Sequence, residues 1–392
     1  MIEFVERKCS ACQTLNRLTA EQLLQSARPP RCGRCKEGLF RAFEKPLYKI
    51  DPNHYIHPLD RKLLDAIHRV PGVRSVLRRA MAESVEKAWR LFHHANFVLV
   101  TNRQVASLRR QYEAAGAMLG VDSLPTLYVY QDPVPQAYTY GVEQPIIAVS
   151  SGLLELMDER EQFAILAHEL GHWQCNHVLY KTAARLLGQI TGIAAGMTLG
   201  LGALALIPIR LALLRWDRAS ELTADRAALL ATREPEVVLR ALMKIAGGSN
   251  KIYREMDFHA FLSQAEEFGQ MREGDVLAKF IVGWDVLFRS HPYPIWRAQE
   301  IVQWVLEGDY LNILDGEYPT TSPVLAERCT ECGRPTVVTE PICRACLAKE
   351  EERTGEDAAG TSDKASDEPP GSASERVSRA LDDAWQWIRG QF

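Results

Sequence analysis

Apolar positions recur at helical spacing along much of this chain. Leu63, Leu64, Ile67 and Val70 form one series; Val73, Val76, Leu77, Ala80 and Met81 form a second after Pro71-Gly72; residues 105–119 form a third. The period then shortens to two. Residues 126–130, 136–140 and 145–149 are short β-branched or aromatic runs separated by Asp132-Pro133 and Gly141, which predicts a small sheet. After the turn at Ser150-Ser151-Gly152, Asp158 with Glu161 three positions on makes an acidic capping box, so a helix is expected to begin there. Further helices are expected over 236–246, 260–268 and 295–306. The fold class implied is α+β, mainly helical.

Chemistry enters on the helix that Asp158 starts. His168-Glu169-Leu170-Gly171-His172 is an H-E-x-x-H sequence, and residues four apart share a helix face. His168 and His172 can therefore close on one zinc ion, with Glu169 beside them as general base for a hydrolytic water. A catalytic zinc takes three protein ligands and keeps one open position. Glu221 is the candidate third ligand. Asp225 lies four residues on, where a carboxylate can accept the N–H of a ligating imidazole. The strand over Ile146, Ile147, Ala148 and Val149, just ahead of the zinc helix, is expected to be a sheet edge to which an extended peptide adds by backbone hydrogen bonds.

These residues carry a resemblance. Residues 146–177 followed by Glu221-x-x-x-Asp225 look like the family forty-eight metallopeptidases, the gluzincin kin of HtpX and of the CAAX prenyl protease Ste24 type. The resemblance implies a zincin-like core, His168, His172 and Glu221 as zinc ligands, Glu169 as the base and Asp225 as support behind a ligand. His291-Pro292, with Arg297 downstream, is similar to the family's later H-P motif, which implies that His291 steadies the oxyanion. Gln136-Ala137-Tyr138 stands where many members show Asn-Ala. The likeness covers roughly residues 60–310 and gives a metallopeptidase domain at 59–315.

Eight of the nine Cys fall into four C-x-x-C pairs. Cys9, Cys12, Cys32 and Cys35 predict a zinc ribbon over residues 1–45, and Cys329, Cys332, Cys343 and Cys346 a second over 325–348. Disulfides or redox pairs are the competing readings. Residues 7–40 also resemble the ribbon that precedes the thioredoxin domain in thioredoxin-2-like proteins, although no such domain follows. The cofactor expectation is thus one catalytic and two structural zinc ions. Cys175 reads as a small buried hydrophobe.

Residues 186–209 hold no charged side chain. A single membrane crossing there would separate Glu221 from His168, and two crossings need about 40 residues. An apolar helical hairpin at 186–214, packed on protein or touching a membrane surface and broken near Gly200 to Gly202 or Pro208, is expected instead.

Residues 349–375 read as a disordered acidic linker and 376–392 as a short C-terminal helix. The net charge of -4 hides a basic first part, since residues 1–120 carry 21 Lys+Arg against 11 Asp+Glu. No nucleic-acid motif accompanies that charge, so nucleic acid is not the expected partner. The start lacks the apolar core of a secretory signal, and a cytoplasmic location is expected, with membrane association left open. The function expected is a zinc metalloendopeptidase acting on polypeptides. The alternatives are a scaffold that binds protein partners through its ribbons or tail, with a binding-only core, and a nucleic-acid-binding ribbon protein.

Overall fold

The computed structural model describes residues 4–25, 29–40, 50–68, 83–121, 123–141, 144–182, 184, 201–274, 292–318, 327–328 and 335–336. Residues Met1–Val324 make one compact unit and Leu325–Phe392 another.

The first unit opens with an antiparallel pair, β1 (Phe4–Lys8) and β2 (Leu15–Thr19), followed by a short α1 (Ala20–Leu24). Thr19 and Gln22 cap α1 reciprocally, each satisfying a backbone N–H of the other. Next come α2 (Pro58–His68), α3 (Glu83–Asn96), β3 (Val98–Leu99) and α4 (Ala106–Leu119). The runs with a period of two become β4 (Thr126–Tyr130), β5 (Ala137–Tyr140) and β6 (Ile146–Ser150). Helices then dominate: α5 (Ser151–Leu156), α6 (Glu159–Gln174), α7 (Leu201–Thr232), α8 (Pro235–Gly247), α9 (Asn250–Tyr253), α10 (Phe258–Gly274), α11 (Pro294–Glu307) and α12 (Tyr310–Leu314). The architecture is α+β and mainly helical.

β3, β4, β6 and β5 lie in that order in one mixed sheet, with β4 and β6 parallel and the other pairs antiparallel. This corrects one expectation. Ile146, Ile147, Ala148 and Val149 form an interior strand, because β4 and β5 occupy both backbone edges of β6. All five residues of β6 are buried, as an uninterrupted apolar run on an interior strand should be. Ile147 and Val149 pack into the main core with Leu166 and Leu170 of α6, while Ile146 and Ala148 face a second cluster around Tyr128, Tyr140 and Trp216. Among the described residues, β5 is the strand beside β6 that has a sheet partner on one side only.

Two glycines let backbones approach where a side chain would collide. A Cβ on Gly152 would stand 2.3 Å from the Pro133 carbonyl oxygen, so the first turn of α5 can lie against the β4–β5 loop only with glycine there. A Cβ on Gly171 would stand 2.5 Å from Ala227 Cβ, so α6 and α7 touch along a line of small residues. That approach brings the two chemistry-bearing helices together.

The four-cysteine hairpin is joined to the helical body. Arg7 Nη2 donates to Asn312 Oδ1 at 2.8 Å, and Arg7 Nη1 lies 3.2 Å from Asp315 Oδ2, just past α12. α1 packs on α11. α7 runs through Pro208 without a break, while residues 186–200 of the expected hairpin lie outside the described residues. No described helix is long and apolar enough to cross a membrane. In the second unit the described residues are the antiparallel strands β7 (Glu327–Arg328) and β8 (Pro335–Thr336). Cys329, Cys332, Cys343 and Cys346, the linker at 349–375 and the helix at 376–392 lie outside the described residues, as does His291.

Candidate metal centre

Asp158 caps α6 by accepting hydrogen bonds from the Arg160 and Glu161 amides, and the Glu161 carboxylate accepts one from the Asp158 amide. The helix so started carries His168, Glu169 and His172 on its inner side, all buried. Across the Gly171 contact, α7 presents Asp217, Glu221 and Asp225 at four-residue intervals on one face.

His168 Nε2 lies 3.3 Å from Glu221 Oε2, and His172 Nε2 lies 3.2 Å from Glu221 Oε1. All three residues offer ligand atoms within 4.8 Å of one another. Zinc bonded to nitrogen or oxygen at tetrahedral angles holds its donors about 3.3–3.5 Å apart, so this donor set fits the ion. The surrounding charges agree, because buried or nearly buried carboxylates outnumber cations. Lys181 bridges Glu221 Oε1 at 2.6 Å and Asp217 Oδ1 at 2.7 Å. Arg297 on α11 grips Asp225, with Nε 2.8 Å from Oδ2 and Nη2 2.6 Å from Oδ1. Asp225 Oδ1 in turn lies 3.0 Å from His168 Nδ1.

The two imidazoles sit in opposite fields. Burial opposes charge on His168, but the hydrogen bonds and charges of Asp225 and Glu221 outweigh it and hold the ring up at about 9. Burial and the nearby Lys181 charge push His172 well below its ordinary value, toward the neutral form that ligates metal. Burial would raise Asp225, yet the Arg297 guanidinium and the bonds it makes hold the carboxyl below the usual range.

Glu169, next to His168 in the chain, is buried as well. Thr139 Oγ1 on β5 donates to Glu169 Oε2 at 2.6 Å, tying the carboxylate to the strand whose outer side carries no sheet partner among the described residues. No spacing in the sequence singles out Thr139, since a threonine on a strand is ordinary. Lys181 and the grip of Arg297 on Asp225 are likewise additions of the structure.

α6 ends in a way that bears on His172. Asn176 takes the left-handed conformation, φ 57, with its N–H on the Trp173 carbonyl at 3.1 Å and the His177 N–H on the His172 carbonyl at 3.0 Å. This is a Schellman ending with asparagine, a residue that tolerates that conformation, in the position usually held by glycine. It folds His177 back against His172, and the rings sit 5.3 Å apart.

Cys9, Cys12, Cys32 and Cys35 also converge, with Cys9 Sγ 3.5 Å from Cys35 Sγ and Cys12 Sγ 3.6 Å from Cys32 Sγ. Sulfurs on a tetrahedral zinc lie about 3.8 Å apart, so this set fits as well. The Cys35 amide leads the interactions that pull the Cys32 thiol down to about 6. The Glu37 amide favours the Cys35 thiolate, but burial and the three neighbouring cysteines push that thiol up to about 12.

The family model for peptidase family M48 matches residues 102–305, which include α6, α7 and Arg297. The chain belongs to peptidase family M48. As an M48 protein it is a zinc metallopeptidase, a hydrolase of polypeptides. It is 34% identical over 284 residues to the plastoglobule-localized metallopeptidase 48 of Arabidopsis thaliana chloroplasts, covering 72% of this chain and 81% of that protein. A protease HtpX homolog of Ralstonia pickettii is 26% identical over 208 residues, 48% of this chain and 70% of that one. A protease HtpX homolog of Tropheryma whipplei is 28% identical over 163 residues, 36% and 56% of the two chains. No solved structure matches this M48 chain.

Proposed function

We propose that this M48 metallopeptidase is an endopeptidase whose catalytic zinc is held by His168, His172 and Glu221 in a zincin-like core, with Glu169 as general base. The observation that carries the reading is the meeting of those three donors, with Glu169 buried next to His168 in the chain. When bound, zinc supplies Lewis acidity, polarising a peptide carbonyl and lowering the pKa of water in its open position.

The protein's own groups do the rest. Thr139 occupies Glu169 Oε2, so Oε1 is the atom free to take the proton of the attacking water and deliver it to the leaving amine. Asp225, clamped by Arg297, keeps the His168 ring turned toward Glu221. The outer edge of β5, next to Glu169, takes the role first expected of Ile146–Val149. An extended substrate adds there through its backbone, which gives affinity with little side-chain demand. Steadying of the oxyanion by His291 belongs to the same proposal, as do a structural zinc on Cys9, Cys12, Cys32 and Cys35 and another on the second cysteine set.

The deciding experiment is cleavage of an unfolded protein substrate by purified wild type and Glu169→Gln. The variant should bind zinc and melt like wild type but cleave roughly 10²–10⁴-fold more slowly. Equal cleavage by both would remove Glu169 from the mechanism.

A further inference from the structure

His168 has Asp225 and Arg297 behind it. His172 has a different support, part of which lies outside the 102–305 span matched by the family model. Its Nδ1 is 3.0 Å from Nδ1 of His177, and His177 Nε2 is 3.0 Å from Asp60 Oδ2 on α2, close but tilted from the ideal hydrogen-bond line. Asp60 and His177 are fully buried. Trp216 Nε1 donates to Asp60 Oδ1 at 2.8 Å, and Thr223 Oγ1 donates to Oδ2 at 2.6 Å. The His177 ring stands edge-on to Trp216, with centroids 5.5 Å apart.

With His177 neutral, donor and acceptor chemistry leaves one consistent arrangement of protons. An ionised Asp60 only accepts, so the His177 nitrogen facing it, Nε2, carries the hydrogen. A neutral imidazole protonated at Nε2 has a lone pair at Nδ1. The His172 nitrogen facing that lone pair, Nδ1, must then carry its own hydrogen. His172 is left with its lone pair on Nε2, the atom that faces Glu221.

We propose that Asp60 and His177 are positioning residues that set the tautomer and ring orientation of the metal ligand His172. Packing alone does not call for them, since an apolar residue against Trp216 avoids the cost of burying a carboxylate. The elements also converge on this role from three directions: α2 brings Asp60, α7 brings Trp216 and Thr223, and the turn at Asn176 brings His177. The segment ahead of the matched core thereby becomes part of the metal site. The inference rests on the metal-site reading given under Proposed function.

The test uses the full-length protein. Zinc affinity is measured by competition with a chelator of known strength, and the site is also read by the visible spectrum of the cobalt-substituted protein. His172→Ala identifies which binding phase belongs to this site. His177→Leu should weaken that phase about 10- to 100-fold, leave thiolate-bound cobalt unchanged and alter the non-thiolate cobalt bands. His177→Gln, whose amide can accept from His172 and donate to Asp60, should recover most of the affinity. Asp60→Asn should weaken the same phase without abolishing it. Wild-type affinity and spectrum in His177→Leu, equal loss of thiolate-bound and His172-dependent metal, or failure of His177→Gln to recover affinity would each overturn the proposal. A wild-type protein with no His172-dependent phase would sink the metal-site reading itself, and this inference with it.

Discussion

Thr139 and Arg297 make opposite kinds of contribution to the site. Thr139 touches Glu169, the proposed general base, so Thr139→Val removes one hydrogen bond to a charged group and leaves the chain trace alone. That bond is worth about 1.5–3 kcal/mol of stability, so the melting temperature should fall, and kcat should fall roughly 10- to 100-fold with little change in KM. Arg297 instead neutralises a buried carboxylate. Arg297→Met should destabilise the protein by about 3–5 kcal/mol in denaturant unfolding. The pH dependence follows the same pair. Burial works against the Asp225 charge, but Arg297 outweighs it, and the folded carboxyl titrates lower than the unfolded one. Its stabilisation is therefore complete above the unfolded value of about 3.9 and disappears as pH falls through the lower folded value. Melting temperatures recorded from pH 6 down to pH 2 should show an acid loss that is shallower in Arg297→Met.

At the scale of elements, the α6–α7 contact sets the distance between the histidine pair and Glu221. Gly171→Ala would drive a methyl into Ala227, and overpacking of this kind costs about 1–3 kcal/mol. The expected outcome is a lower melting temperature together with weaker zinc binding in chelator competition; unchanged metal affinity would mean that the helices are not held apart to the width of the ion. Much of this layout is legible in the sequence because it is local. Asp158 and Glu161 announce the start of α6, and four-residue spacing puts His168 with His172, and Glu221 with Asp225, on common faces. What is not legible is non-local. Ile146–Val149 reads as a strand, but nothing in an apolar run says which neighbours will flank it, and the full burial of its residues argues for the interior only once the sheet order is known. Arg297 meets Asp225 across 72 residues, and Thr139 meets Glu169 across 30, by packing that no periodicity records.

Over the whole molecule, the cysteine hairpin and the metal centre share a helix. The ribbon leans on α11 and α12 through α1 and Arg7, and α11 carries Arg297 to Asp225. Cys32→Ser should remove one zinc per chain by metal analysis and lower the melting temperature by roughly 5–10 °C if the lost docking amounts to about 2–3 kcal/mol. Peptide cleavage at 25 °C should fall far less than in Glu169→Gln, because Arg297 remains on its helix. A loss of cleavage as large as that of Glu169→Gln would mean that the ribbon organises the active site directly.

The left-handed turn at Asn176 ties the end of a helix to the back of His172 with no slack between them. Each residue of helix turns the chain by about 100°, so one residue added or removed between His172 and His177 would carry the second ring off the first. Trp173 and Gln174 fix that alignment further by donating to the Ser123 and Leu119 carbonyls, and Cys175 by its burial. The stretch acts as a ruler, strict in its length as well as in what it touches.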